Sequence, residues 1–298
     1  MMTRSPLQSK AQRTLRSQTI VEGVALFTGL PSKCTIQPAK INQGLTFRLN
    51  NNNNTNSIPV NPQNISHAPV HPAFANIPPR CSALTNKGST IWLVEHILSA
   101  LAGTGVTNAI IEVDHCELPI MDGSSLAFTQ AIQKTGIESQ DAPIDPIVIN
   151  KVIRVEQEDS WIEVSPAEWC SYEYTIDYGP DSPIPHTTVH WDGQTDTYID
   201  RIAPARTFCL EHEAEALIKG GLFKHLNPGD MLVLGDSGPI NNTLRDTHEC
   251  ALHKLLDLIG DLALLGKPIN AHIRAHKSGH TLAHSLARSL THAIIDAQ

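Results

Sequence analysis

Residues 253–261 read HKLLDLIGD, the most informative run of the chain. Positions four apart share one face of an α-helix, so His253, Asp257 and Asp261 form a polar stripe beside apolar neighbours. A histidine and an aspartate at this spacing can chelate one Zn²⁺ and leave coordination positions for another ligand and for water. For the pair alone, the alternative is a hydrogen-bonded His–Asp pair on a solvated face. The run therefore predicts a helix that either binds a metal or exposes this stripe to water.

A Glu-His pair lies in a second apolar helix, predicted over residues 91–102 and ended by Gly103 and Gly105. Adjacent helical residues point about 100° apart, so a metal-bound His96 would leave Glu95 beside the metal. A general base that activates water belongs in that place. The alternative puts Glu95 on the surface and His96 in the core.

A third run, residues 277–280, reads KSGH and precedes a helix predicted at residues 281–295. It places His280 near a helix N-terminus and close to the cation of Lys277. Backbone N–H groups at such a helix start favour anions. By itself this run does not define a site.

Composition narrows the class of protein. The 298 residues are enough for two domains, at roughly 150 residues a domain. With 41% hydrophobic residues and no apolar run near the ~20 residues of a membrane span, the sequence is typical of a soluble protein. The formal charge of −8 argues against a nucleic acid as the main partner.

Cysteine usage and the N-terminal residues predict a location. The six cysteines contain no C-x-x-C pair, which favours reduced thiols over a disulfide framework or a cysteine zinc site. Residues 1–18 contain no apolar segment that could act as a secretory signal. We therefore expect a cytoplasmic protein.

The order of predicted elements indicates an α+β fold of two similar domains. In both halves strands precede helices: strands at 19–24, 34–37, 45–49 and 108–113 with helices at 91–102 and 125–134, then strands at 148–155, 161–164 and 172–178 with helices near 211–219, 247–265 and 281–295. The polar residues 50–54 predict a loop, and residues 141–146 a linker. This places the domains at residues 12–140 and 147–298.

These runs and their neighbours resemble the UDP-3-O-acyl-N-acetylglucosamine deacetylases, which catalyse the committed step of lipid A synthesis. The resemblance spreads over most of the chain, in QRTL at 12–15, GVAL at 23–26, VEHILSALAG at 94–103, PIMDGS at 119–124, APARTF at 203–208, HKLLDLIGD at 253–261 and KSGH at 277–280. It implies two β-α-α-β domains that form a sandwich, with the active site in the cleft between them.

The resemblance also implies the metal ligands and the base. His96, His253 and Asp257 would bind Zn²⁺, and Fe²⁺ could replace it because a site of two histidines and one aspartate accepts either metal. Glu95 would be the general base that takes a proton from the attacking water. The reaction would be hydrolysis of the acetamide of a UDP-linked acylated amino sugar.

The remaining roles follow from the same resemblance. His280, oriented by Asp261, would be the cationic acid that protonates the departing amine. Thr207 would help to hold the oxyanion, Lys254 would reach the diphosphate of the substrate, and Phe208 would line the sugar and nucleotide side. We expect a monomer.

Three positions depart from the family's pattern. Relatives usually carry a histidine at Phe27, an arginine at Leu252 and a Ser-Leu-Asp-Asn-like run where residues 222–230 read LFKHLNPGD. The catalytic set is complete and the recognition set is altered. We therefore favour the lipid A enzyme over two alternatives, a paralogue that deacetylates another N-acyl amino sugar and a non-catalytic binding protein with the same fold.

Overall fold

In the N-terminal half, alternating apolar and polar residues form the strands of the computed structural model, which describes residues 11–51, 54–226 and 231–295. In one of them Ser32, Cys34 and Ile36 are buried and Lys33 is exposed, the period of two that a half-buried strand requires. The strands are β1 (Ala11–Leu15), β2 (Thr19–Val24), β3 (Pro31–Pro38), β4 (Leu45–Asn51), β5 (Asn54–Pro59), β6 (Ala83–Asn86), β7 (Ser89–Trp92), β8 (Ala109–Val113) and β9 (Ile137–Pro143).

Two helices, α1 (Glu95–Thr104) and α2 (Leu126–Thr135), belong to the same half. Its main sheet has the order β2-β3-β8-β4-β5. Strands β4 and β8 run parallel, and the other neighbours run antiparallel. Two smaller antiparallel sheets pair β1 with β9 and β6 with β7.

The C-terminal half has strands and helices in a similar succession. Its strands are β10 (Ile147–Val148), β11 (Ile153–Gln157), β12 (Ser160–Pro166), β13 (Ser171–Ile176), β14 (Thr187–Trp191), β15 (Phe208–Leu210), β16 (Leu232–Gly235), β17 (Gly238–Pro239) and β18 (Ile269–His276). Its helices are α3 (Thr195–Thr197), α4 (Glu211–Lys219), α5 (Glu249–Ala263) and α6 (His280–Ile295).

The main sheet of this half has the order β11-β12-β18-β13-β14, and β15, β16 and β17 form a smaller sheet. Strands β13 and β18 run parallel and the other neighbours on that path antiparallel, while β10 adds a parallel pairing to β18. If β10 is left aside and the other five strands of each main sheet are numbered along the chain, both sheets have the order 1-2-5-3-4. In each half one helix lies directly before the fifth of these strands along the chain, α1 or α5, and another lies directly after it, α2 or α6.

The two halves meet where α1 contacts α5, and residues of both halves join one hydrophobic core. The helices approach closely at Gly260, where an added Cβ would lie 2.1 Å from the carbonyl oxygen of Glu95. Any side chain at Gly260 would therefore push α5 away from the start of α1. This contact places the first residues of α1 against the middle of α5.

The α+β fold class is confirmed, and two element boundaries predicted in the N-terminal half are wrong. The helix predicted at 91–102 begins at Glu95, because Ser89–Trp92 pairs as β7 with β6 and Leu93 has a left-handed φ of 67°. The loop predicted at 50–54 is instead the end of the hairpin of β4 and β5 for the residues described there. Backbone hydrogen bonds form that hairpin whatever the side chains are.

The predicted linker at 141–146 is also corrected, since residues 141–143 belong to β9, which pairs with β1. The domain boundaries at 12–140 and 147–298 stay a prediction. Inside those ranges, residues 52–53, 227–230 and 296–298 lie outside the described residues. None of the helices in the described ranges combines the length and apolar character that a bilayer span requires.

Candidate metal centre and active site

The contact between α1 and α5 brings three potential metal ligands together. One ligand atom each from His96, His253 and Asp257 lies within 4.8 Å of the others, and all three residues are buried. Asp257 Oδ1 lies 3.4 Å from His253 Nε2 and 3.7 Å from His96 Nε2. Two imidazole nitrogens and one carboxylate oxygen form a donor set that fits a divalent transition metal and leaves a coordination position open.

Hydrogen bonds orient two of these side chains. His253 Nδ1 lies 3.0 Å from the carbonyl oxygen of Ala205, so this nitrogen donates its proton there and Nε2 keeps a lone pair directed toward Asp257. The second carboxylate oxygen of Asp257 accepts from Lys254 Nζ at 3.0 Å. Burial and the neighbouring His253 lower the pKa of His96 to about 3, so its imidazole is neutral. A neutral imidazole is the form that binds a metal.

Glu95, the first residue of α1, is buried beside this cluster. One of its oxygens, Oε2, accepts a hydrogen bond from the backbone N–H of Ser82 at 3.0 Å. Burial raises the pKa of Glu95 to about 8; the charge of His280 opposes this shift, and Asp257 and Asp261 reinforce it. A carboxyl group with a pKa in this range can exchange a proton near neutral pH.

His280, the first residue of α6, forms an ion pair with Asp261 of α5. Its Nδ1 lies 2.8 Å from Asp261 Oδ2, and both side chains are buried. Burial disfavours the imidazolium, but Asp261 outweighs it and raises the pKa of His280 to about 9. His280 is therefore a cation at neutral pH and can donate a proton.

The segment that contains Thr207 is fixed by a turn of the other half. Ser125 N–H donates to the Ala203 carbonyl at 3.1 Å, and Thr207 N–H donates to the Gly123 carbonyl at 2.7 Å. The PIMDGS run at 119–124 therefore positions Thr207, and the Ala205 carbonyl between these bonds orients His253. The short segment from Ala203 to Thr207 therefore contacts both His253 on α5 and the turn that positions Thr207, the residue predicted to hold the oxyanion.

A cleft of about 380 Å³ opens at this cluster. Among its lining residues are six of the predicted site residues: Thr207, Phe208, His253, Lys254, Asp257 and His280. The Phe208 ring centroid lies 6.2 Å from that of His253 and 6.1 Å from that of Tyr178. A separate apolar cavity of about 140 Å³ lies near the far ends of α1 and α5 and is lined by other residues, including Val106, Tyr172 and Leu262.

The cations named from the sequence already have partners in the protein. Lys254 donates to Asp257, and this pairing, together with the Tyr174 and Tyr178 hydroxyls, raises the pKa of Lys254 although burial opposes it. Lys277 forms an ion pair with Asp159 at the protein surface. A substrate phosphate would therefore compete with Asp257 for Lys254.

Sequence reasoning missed four buried polar residues that support the site. Arg206 donates to both oxygens of Glu249, at 2.8 and 3.1 Å, and so ties the segment of Thr207 to the start of α5. Ser82 and His284 form hydrogen bonds around Asp261. Helical spacing could have indicated His284, which lies four residues after His280, but no local pattern pointed to Ser82.

The described residues at which the sequence departs from the family's pattern, among them Phe27, Phe223 and Leu252, pack against other side chains. The ring centroid of Phe27 lies 5.6 Å from those of both Phe74 and Phe223, so two of the departures contact each other in one aromatic cluster. An added Cβ on Gly29 would lie 2.9 Å from the ring of His225. Leu252 is buried in the core on α5. Residues 227–230 of the altered run lie outside the described residues.

Comparison with known proteins gives one consistent result. Residues 12–292 match the family model described as UDP-3-O-acyl N-acetylglycosamine deacetylase. Curated relatives with the name UDP-3-O-acyl-N-acetylglucosamine deacetylase include those of Cellvibrio japonicus, 35% identical over 88% of this chain and 84% of the relative, and Acidithiobacillus ferrooxidans, 36% identical over 88% and 83%. A relative from Leptospira biflexa is 33% identical over 88% of this chain and 83% of its own length.

Proposed function

The chain belongs to the UDP-3-O-acyl N-acetylglycosamine deacetylase family, and we propose that His96, His253 and Asp257 hold the metal ion of this family of metalloenzymes. The resemblance drawn from the sequence is confirmed. The protein is a hydrolase that deacetylates UDP-3-O-acyl-N-acetylglucosamine, a step of lipid A biosynthesis. The identity of the metal and the part that each residue plays in that reaction are our proposals.

We propose Zn²⁺ as the metal, with Fe²⁺ able to occupy the same donors. The buried convergence of two neutral imidazole nitrogens and one carboxylate oxygen carries this assignment. When bound, such an ion polarises the acetamide carbonyl and makes a water molecule more acidic. Asp257 would offer Oδ1 to the ion, because Oδ2 is paired with Lys254.

Glu95 takes a proton from the attacking water as the new carbon–oxygen bond forms. Its side chain is held by the Ser82 N–H through Oε2, which leaves its other oxygen for this transfer. The raised pKa of Glu95 matches that task, since a base is most effective when its pKa lies near the working pH.

His280 gives a proton to the departing nitrogen as the carbon–nitrogen bond breaks, which releases acetate and the free amine. An amine leaves poorly unless it is protonated, and the ion pair with Asp261 keeps His280 charged for this step. Nδ1 is bonded to Asp261, so Nε2 is the nitrogen that donates. The Thr207 hydroxyl stabilises the negative charge that develops on the carbonyl oxygen.

The rest of the cleft would bind the UDP part of the substrate. Phe208 and Tyr178 present their rings beside the reaction centre, where they can contact the sugar or the nucleotide. Lys254 would exchange part of its bond with Asp257 for a phosphate oxygen when the substrate is bound. We also propose a cytoplasmic location and a monomeric state.

The test combines metal analysis with turnover. We expect about one zinc or iron ion per chain in the purified protein, and acetate release from UDP-3-O-acyl-N-acetylglucosamine. His96→Ala and His253→Ala should each lose the metal and the activity, whereas His212→Ala, an exposed histidine, should keep both. Full metal content in both ligand variants would contradict the assignment.

A further inference from the structure

Ser82 lies between the groups proposed as base and acid, and its backbone contacts the first. The Ser82 N–H donates to Glu95 Oε2 at 3.0 Å. Its carbonyl oxygen accepts from the N–H groups of Leu93 and Val94, at 3.0 and 3.2 Å, just before α1 begins. The Ser82 peptide therefore fixes both the start of α1 and the carboxylate of Glu95.

The side chain of the same residue contacts the acid. Ser82 Oγ lies 2.5 Å from Asp261 Oδ1 and 2.7 Å from His284 Nε2. It lies 3.5 Å from His280 Nδ1, which is closer to Asp261 Oδ2 at 2.8 Å. Ser82 and His280 therefore bind different oxygens of one carboxylate.

The direction of each hydrogen bond follows from the donors available. An ionised Asp261 can only accept, so the Ser82 hydroxyl must donate to it. A lone pair of Ser82 Oγ then accepts from the Nε2–H of His284. Burial lowers the pKa of His284 to about 4, so its ring is neutral and its Nδ1 has a lone pair. The hydrogen bonds run from His284 to Ser82 to Asp261, and Asp261 also accepts from His280.

The outer nitrogen of His284 in this hydrogen-bond network reduces the stability of the protein. Within the described residues, His284 Nδ1 is the buried side-chain nitrogen or oxygen that has no hydrogen-bond partner. A buried polar atom left unpaired reduces stability, and such atoms in a folded protein call for an explanation such as a catalytic role. A purely structural contact at this position would be served better by an apolar side chain.

We propose that Ser82 and His284 are positioning residues of the deacetylation, which hold Asp261 so that His280 presents Nε2 to the departing amine. The inference rests on the proposed role of His280. Ser82 fixes the rotation of the Asp261 carboxylate through Oδ1, and His284 fixes the direction of the Ser82 hydroxyl. The same Ser82 peptide sets Glu95, so one residue aligns both groups that transfer protons.

The test measures kcat and KM for UDP-3-O-acyl-N-acetylglucosamine in single and double variants. We expect Ser82→Ala to lower kcat about tenfold with KM changed less than about twofold, because the variant disturbs a proton transfer and not substrate binding. Ser82→Thr retains the hydroxyl and should recover most of the loss. Ser285→Ala, an exposed serine on α6, is the matched control and should leave kcat unchanged.

The same substitution in a His280→Gln background separates a positioning role from a structural one. If Ser82 acts through His280, adding Ser82→Ala to His280→Gln should change kcat by less than about twofold. An equal loss of kcat in both backgrounds would overturn the inference while leaving His280 as the acid. Wild-type activity of His280→Gln would instead overturn the proposed role of His280, and the inference with it.

A second pair of variants keeps the inference testable if Ser82→Ala does not fold. His284→Phe retains the ring but removes the donor, and we expect kcat to fall about threefold to tenfold with KM unchanged. His284→Gln restores an N–H near the position of Nε2 and should recover part of that loss. Equal activity of the two variants would contradict a role for the His284 donor.

Discussion

Helix α1 of the N-terminal half and helix α5 of the C-terminal half each precede the fifth strand of their main sheet, β8 and β18. The first of these helices has Glu95 and His96 in its first turn. The second has its polar residues along one face, at His253, Asp257 and Asp261. The two halves share a topology but would contribute different parts of the proposed reaction.

The helices after the fifth strands differ in the same way. Helix α6 begins at His280, the proposed acid, whereas the residues at the start of α2 make structural hydrogen bonds. There Ser125 Oγ contacts the Tyr198 hydroxyl at 2.9 Å, and Ser124 Oγ donates to Asp122 at 2.6 Å. In our proposal one half supplies the base and one metal ligand, and the other half supplies two metal ligands and the acid, so neither half would contain a complete site.

The insertions between the fourth and fifth strands give a further parallel. Ser82 directly precedes β6 in one half, and Thr207 directly precedes β15 in the other. Both hydroxyl residues lie near the groups proposed to transfer protons and bind the metal: Ser82 contacts Asp261, and Thr207 lines the cleft. Substitutions in each half can test whether the two halves have these different roles.

The largest effect is expected for Glu95, the proposed base in the N-terminal half. Glu95→Gln keeps the shape of the side chain but cannot take a proton, so we expect kcat to fall by about 10²- to 10⁴-fold while the metal content stays unchanged. Acetate release and elemental analysis measure the two quantities. Glu168→Gln, at an exposed carboxylate, is the control. A loss of metal in Glu95→Gln would mean that Glu95 also supports the metal.

The next effect concerns the buried ion pair that fixes the start of α5. Glu249→Ala leaves the guanidinium of Arg206 buried without its main partner, and we expect a loss of about 3–5 kcal/mol in the free energy of unfolding. Urea titration measures this loss. Asp145→Ala removes the exposed pair with Lys267 and should leave the unfolding midpoint unchanged. Equal stability of the two variants would show that the pair does not fix α5.

A pH dependence of stability is expected from His280, the proposed acid in the C-terminal half. The folded protein raises the pKa of His280 to about 9 from 6.5, so the pair with Asp261 contributes its full stability below about pH 6.5 and loses it as the pH rises through 9. The amount is on the order of 3 kcal/mol. Urea titrations between pH 6 and 10 should compare the wild type with Asp261→Asn, both treated with a chelator to remove bound metal. The free energies of unfolding of the two proteins should converge at high pH. A difference in stability that stays constant over this range would contradict the pair.

The smallest effect compares the two glycines at which the halves approach. In Gly260→Ala the new Cβ would meet the Glu95 carbonyl oxygen, and in Gly103→Ala it would meet the ring of Tyr198 2.4 Å away. Both variants should lose about 1–3 kcal/mol of stability. Since Gly260 faces the residue proposed as base, its variant alone should also lower kcat, by about tenfold or more. Equal kcat values for the two folded variants would contradict the inference that the close contact at Gly260 positions Glu95.

The residue patterns predicted most of the longer helices, and they placed candidate site residues on them. The helix predicted near 211–219 matches α4, and α5 and α6 begin within two residues of their predicted starts, because an apolar face of period 3.6 is a local property. The nine predicted site residues come from such runs and from the family resemblance. Strand β18 was missed, although its buried residues alternate with more exposed ones, because Asn270, Ala271 and Ala275 belong to residue types that are depleted in strands.

The sequence by itself determined the fold class, the family and the residue types that catalysis requires, since each depends on runs of neighbouring residues. The tertiary structure decided what those runs contact. The backbone of Glu95 packs directly against Gly260, the turn at 119–124 accepts a hydrogen bond from Thr207, and the ring of Phe27 contacts that of Phe223. It also brought Ser82 to Asp261 across 179 positions of the chain. Contacts of that separation depend on how whole sheets and helices pack, and no local pattern of residue types encodes them.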